Sequence, residues 1–149
     1  MSATARTIEI PLPSPERQLL QSFEACTLPA AEFSHRRHLS LGWLYLQQYG
    51  FPAGVTRFCE RLRAYVTSVG AAAKYHETIT WAYMALMNEE MSLRSPPGER
   101  FDDMVMRRPD LLDHRAGALM RCYTPEQLQS AEARRVFVLP RREGLVNGD

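Results

Sequence analysis

Pro52-Ala53-Gly54-Val55-Thr56-Arg57-Phe58-Cys59-Glu60-Arg61-Leu62-Arg63-Ala64-Tyr65-Val66-Thr67-Ser68-Val69 is the stretch whose pattern decides the fold class. Val55, Phe58, Leu62, Tyr65, Val66 and Val69 recur at helical spacing, so they share one face of a helix over 52–69. Arg57, Glu60, Arg61 and Arg63 fall largely on the rest of the surface and predict a solvated face. Gly70 then supplies a C-cap residue that tolerates a left-handed backbone.

The same helical logic extends in both directions. Upstream, Ser14-Pro15-Glu16 places a capping serine before a proline at the first helical position. Leu19, Leu20, Phe23 and Cys26 continue that helix as one apolar stripe over 14–27. A further helix over 34–49 is closed by Gly50 and Pro52. Downstream, a helix over 76–91 precedes Ser95-Pro96-Pro97-Gly98, the strongest break in the chain. Phe101, Met104 and Val105 predict a short helix, and another segment opens at Pro109 and runs towards Tyr123. Thr124-Pro125-Glu126-Gln127 has the spacing of a reciprocal capping box and predicts a last helix through Ala133. Val136-Phe137-Val138-Leu139 reads as an extended run packed on the helices. The expectation is an all-α fold: a compact bundle of five to seven helices with extended arms at both ends. Residues 1–13 form an arm whose prolines oppose a helix, 14–140 one helical domain, and 141–149 a flexible tail.

Composition limits the function classes. The chain has 149 residues, enough for one domain with a real core, and its 45% hydrophobic and 23% charged content is ordinary for a globular protein. A net charge of +1 with scattered arginine pairs argues against nucleic acid as a partner, and no stretch is apolar enough to span a membrane. Cys26, Cys59 and Cys122 are odd in number and far apart, as expected of free thiols in a reducing compartment. With no apolar signal segment after Met1, the expected location is the cytoplasm. Nothing in the sequence specifies an oligomeric state.

Chemistry-bearing residues concentrate in Ser34-His35-Arg36-Arg37-His38-Leu39 and Lys74-Tyr75-His76-Glu77-Thr78, which hold three of the four histidines. His35 and His38 are three apart on a helix and project the same way. Gly42 lies one turn further on and offers no side chain, although glycine there costs about 1 kcal/mol relative to alanine. His76 opens the next helix, and its stripe continues through Thr80, Tyr83 and Met87, with Glu77 about 100° away. His35, His38 and His76 are therefore candidate metal ligands, with Glu77 as a further ligand or general base and Tyr75 beside it. Tyr45, Trp81, Tyr83 and Met84 are candidates for a substrate pocket wall, although aromatics and methionines at helical spacing are commonly core. A structural alternative accompanies each: Glu77 suits a helix start through the macrodipole alone, and Asp110 and His114, one turn apart, suit a cap and a surface position.

The combination Phe33-x-His35-x-x-His38-Leu39 with Lys74-Tyr75-His76-Glu77-Thr78 resembles a pattern of small helical bacterial proteins. The resemblance covers mainly 33–85, with a weaker echo in Ala133-Arg134 and Phe137-Val138. It implies that His35, His38, His76 and Glu77 act as one constellation, and it implies no substrate. A two-histidine zinc-protease motif and the paired Glu-x-x-His of di-iron bundles are both absent.

The leading expectation is a metal-dependent enzyme acting on a small organic molecule, using iron, copper or zinc, with oxidoreductase chemistry ahead. Zinc would instead suit hydrolase or lyase chemistry with Glu77 as base. Without a metal, His38 or His76 with Glu77 forms an acid–base pair. The third expectation is a non-catalytic helical ligand-binding or regulatory module.

Overall fold

The computed structural model describes residues 14–140, so the expected N-terminal arm and C-terminal tail lie outside the described residues. The chain is all-α: among the described residues it forms seven α-helices joined by short 3-10 turns, with no strand. The helices cluster into two compact units, divided along the chain between Gly70 and Ala71.

The first unit contains α1 (Ser14–Glu24), α2 (His35–Tyr49) and α3 (Ala53–Ser68). Helix α1 stops earlier than its apolar stripe suggested. Cys26 takes φ 58°, and Thr27 N–H reaches back to the Ser22 carbonyl at 2.8 Å while Cys26 N–H reaches that of Phe23 at 3.1 Å. That pairing is a Schellman close, with cysteine at the position usually held by glycine. Gly50 ends α2 at φ 74°, its N–H bonded to the Leu46 carbonyl at 2.8 Å, and the chain turns directly into α3. The two helices approach closely because Gly54 has no side chain: a Cβ there would fall 2.7 Å from the Tyr45 carbonyl oxygen. The core of this unit is aromatic. Phe23, Tyr45, Phe58 and Tyr65 are buried, and their ring centroids, together with that of Phe33, lie 4.8–6.4 Å apart in successive pairs. The Tyr65 hydroxyl reaches the buried carbonyl of Leu28 at 2.9 Å, so the ring is satisfied at its polar end.

The second unit contains α4 (Glu77–Leu93), α5 (Phe101–Arg107), α6 (Pro125–Gln129) and α7 (Ala131–Arg135). Phe101, Met104 and Val105 bury the inner face of α5 as their spacing predicts. The single last helix expected from 124 onward is broken. Ser130 adopts an extended backbone and caps α7, its hydroxyl accepting from Ala133 N–H at 3.1 Å. The capping box before α6 is only half formed. Thr124 accepts from Gln127 N–H at 3.1 Å, but the Gln127 amide donates to the Leu139 carbonyl instead of returning to the cap.

Charge organises the far end of α4. Glu90 is fully buried and accepts from Arg94, Arg107 and Arg108 at 2.9–3.0 Å. Arg107 also grips Glu99 with two bonds, and Arg108 grips Asp110 with two more, while Asp110 additionally holds Arg121. Burial pushes the Glu90 carboxyl up, but the three guanidinium groups outweigh it and hold the group below its ordinary range. The bidentate bond from Arg108, with that from Arg121, brings Asp110 down to about 2. Asp110 and Arg107-Arg108 are thus paired within one ionic network, and Asp110 sits in a 3-10 turn (Pro109–Leu111) rather than a helical turn below His114.

Replacing Glu90 with glutamine leaves three arginines around a neutral amide. We expect Glu90→Gln to cost about 3–5 kcal/mol, the usual penalty for breaking a buried ion network on one side. Urea denaturation of the variant beside wild type checks it; a loss below about 1 kcal/mol would show the network to be solvated.

Candidate functional site

The first candidate stretch sits where α2 begins. Ser34 accepts from Arg37 N–H at 3.2 Å and so caps the helix, while the Arg37 guanidinium donates to the Glu32 carbonyl at 2.9 Å. His35 and His38 follow one turn apart, both partly exposed. The His38 ring stacks on Phe33 at 5.6 Å and lies 5.5 Å from Phe58, at the margin of the aromatic core. Burial, with a smaller contribution from the neighbouring His35, lowers the His38 pKa to about 4. The imidazole is therefore neutral at neutral pH, the form that ligates a metal or accepts a proton.

Tyr45, two turns along α2, is a core residue. Its ring is buried against Phe23 and Phe58, and its hydroxyl donates to Glu24 at 2.7 Å. Burial and this bond to a carboxylate both hold the phenol protonated well above its ordinary range. What helical spacing offered as a pocket wall is occupied with packing.

The second candidate stretch is built differently from the expectation. His76 is not inside the helix: its backbone is extended (φ −135°, ψ 109°) and its side chain caps α4. Nδ1 accepts from Ile79 N–H at 3.0 Å, and Nε2 lies 2.6 Å from the Leu128 carbonyl oxygen. A carbonyl accepts only, so Nε2 carries the proton and Nδ1 does not. The ring is buried, and desolvation lowers its pKa against the opposing pull of the Leu128 carbonyl, with Arg134 lowering it further. The expected stripe from His76 through Thr80, Tyr83 and Met87 thus loses its first member, because the capping position turns the side chain back along the backbone. Thr80 instead donates its hydroxyl to the His76 carbonyl at 2.7 Å.

Around this cap, Tyr75 donates to Glu77 at 3.3 Å. Arg134 on α7 donates to the carbonyl of Ala73 at 3.1 Å and approaches that of Tyr75 at 3.5 Å. Thr78 holds the extended segment after α7 with one oxygen, donating to the Val136 carbonyl at 2.9 Å and accepting from Val138 N–H at 3.1 Å. Tyr123 secures the Val138 carbonyl at 2.7 Å and Gln127 that of Leu139 at 3.1 Å. Trp81 faces Phe137 of the same segment, with ring centroids 6.2 Å apart. Tyr83 is buried, and desolvation pushes its phenol up to about 12.

Of the predicted site residues, the structure pairs His35 with His38, and groups Tyr75, His76 and Glu77 at the start of α4. Among the described residues, no group of three or more His, Cys, Asp or Glu side chains is arranged to hold a metal ion. Sequence reasoning missed the network around Glu90, whereas 136–139 is the extended, packed run it expected, held by Thr78, Tyr123 and Gln127. Glu90 had a signal in its position, since it continues the apolar stripe of Tyr83 and Met87 into the core. Compared with protein-family models, curated proteins and solved structures, the chain matches none of them.

Two histidines with depressed pKa values make stability pH-dependent with a definite sign. Below pH 6.5 the unfolded chain binds protons that the folded chain refuses, so the contribution is complete above about 6.5 and falls as pH drops. For His38 the loss finishes near its folded value of about 4 and amounts to at most roughly 3 kcal/mol. We expect His38→Phe and His76→Asn each to flatten the slope between pH 6.5 and 4. His76→Ala, which removes a cap and orphans the Leu128 carbonyl, should cost about 2–4 kcal/mol at pH 7. Urea midpoints across this range check both, and a slope unchanged in either variant would contradict the assignment for that histidine.

Proposed function

We propose that this chain is a non-catalytic helical module that binds a small ligand, rather than an enzyme built on three converging imidazoles. Support comes from one observation above all: both ring nitrogens of His76 are committed to backbone groups, so ligating a metal through either would uncap α4 or release Leu128. Tyr45 adds to it, because a residue assigned to the substrate wall has its ring in the core and its hydroxyl on Glu24.

A second reading is favoured by a separate observation. His38 is held neutral beside His35, and two imidazoles one turn apart on a rigid helix suit iron, copper or zinc. In that reading the metal-dependent enzyme survives with His35 and His38 as its imidazole ligands. Its chemistry would be of the redox class, or of the hydrolase or lyase class if the metal is zinc.

The metal content of freshly purified protein separates the readings, measured by elemental mass spectrometry on wild type, His38→Ala and His76→Ala. The module reading expects no near-stoichiometric transition metal in any of the three. Metal lost in His38→Ala and kept in His76→Ala would establish the two-imidazole reading. Metal lost in both while both remain folded would restore the three-histidine site.

A further inference from the structure

We propose that the second unit carries a binding site for a small organic oxyanion, a phosphate or carboxylate head on a short apolar body, between Arg115 and Arg121. This deepens the ligand-binding reading and rests on it. The two arginines border an open cavity of about 360 Å³, completed by Ala116, Met120 and Pro125. That size suits a small molecule, and its lining is divided between two arginines and three apolar residues.

The local chain geometry makes the site rigid on the side where rigidity matters. Asp113 accepts from the N–H groups of both Arg115 and Ala116 at 3.1 and 3.0 Å, and its carbonyl accepts from Gly117 N–H at 2.9 Å. Gly117 packs so tightly against the carbonyl oxygens of Asp110 and Asp113 that a Cβ would collide with both. The turn is thereby fixed against the 3-10 turn at Pro109–Leu111. Arg121 is held by Asp110, which is itself gripped by Arg108 from the Glu90 network. Arg115 differs. It is exposed, and among the described residues its guanidinium has no ion-pair or hydrogen-bond partner.

The chemistry follows from that asymmetry. Arg121 has part of its charge balanced by Asp110, so it orients a ligand more than it attracts one. Arg115 brings an uncompensated planar fork of donors, whose geometry matches the paired oxygens of phosphate or carboxylate. Met120, Ala116 and Pro125 give an apolar floor that an inorganic ion would not use but a small aryl or alkyl group would.

The test is a titration of the 15N-labelled full chain, followed by amide shifts, with phenyl phosphate, benzoate and inorganic phosphate as probes. The expected result is saturable movement of the amides of Arg115, Ala116, Met120 and Arg121 with phenyl phosphate or benzoate, and weaker binding of inorganic phosphate. Whichever aryl probe binds tighter identifies the head group. Arg115→Gln should weaken the better probe by about tenfold or more, the value of one charge-assisted fork. Arg135→Gln, an exposed arginine elsewhere in the same unit, should leave affinity unchanged. The spectrum of each variant reports directly that it is folded. No saturable shift at millimolar probe, or equal affinity in Arg115→Gln and wild type, would overturn the proposal. This outcome is distinct from failure of the module reading. Metal-free protein without the shifts sinks this site alone, while stoichiometric metal together with the shifts sinks the module reading and keeps the site.

Discussion

The imidazole of His76 joins two backbone groups that lie 49 residues apart in sequence, Ile79 N–H and the Leu128 carbonyl. Each bond fixes the other. With Nε2 donating to a carbonyl, Nδ1 must be the acceptor, and only an acceptor can cap the start of a helix. Protonating the ring would place a hydrogen where the helix needs a lone pair, so the buried group is kept neutral. The neighbouring threonines extend the scheme. Thr80 reaches back to His76, and Thr78 reaches out to both sides of Phe137. The first turn of α4 is consequently the anchor to which α6, α7 and the following extended segment are tied.

The first unit uses its imidazole in another way. His38 closes the edge of an aromatic cluster and is neutral because it is desolvated, with His35 adding repulsion. One histidine is thus consumed by hydrogen bonding and the other by packing that leaves it partly exposed. Electrostatics in the second unit follow a third pattern. Glu90 gathers three arginines in the interior, and the chain of pairs through Arg108 and Asp110 carries that order out to Arg121 at the surface. A buried carboxylate sets the position of a surface arginine through two intervening ionic groups, Arg108 and Asp110.

Much of the fold was legible because helix ends carry their own chemistry. Ser34, Gly50 and Gly70 mark boundaries that the structure reproduces, and the stripe from Val55 to Val66 is buried as its period requires. The failures share a cause. Cys26 as a left-handed close, Ser130 as an internal cap and Gln127 turned to Leu139 are each chosen by tertiary partners that a local pattern does not contain. His76 is the instructive case. A shift of one residue in the start of α4 moves it from a helical face to the cap, and a candidate ligand becomes a backbone partner. The candidate site was therefore legible in its residues but not in their roles. Spacing located His35 beside His38, and it could not report that Leu128 waits for the Nε2 proton.

The ring nitrogens of His76 provide the most direct measurement. Long-range 1H–15N correlation spectra of the imidazoles at neutral pH, recorded before and after adding zinc, report tautomer and ligation for each histidine separately. The account predicts His76 as the Nε2–H tautomer with an unprotonated Nδ1, and no change at either nitrogen when zinc is present. An Nδ1–H tautomer, or a His76 nitrogen shifting on addition of zinc in step with His38, would contradict it.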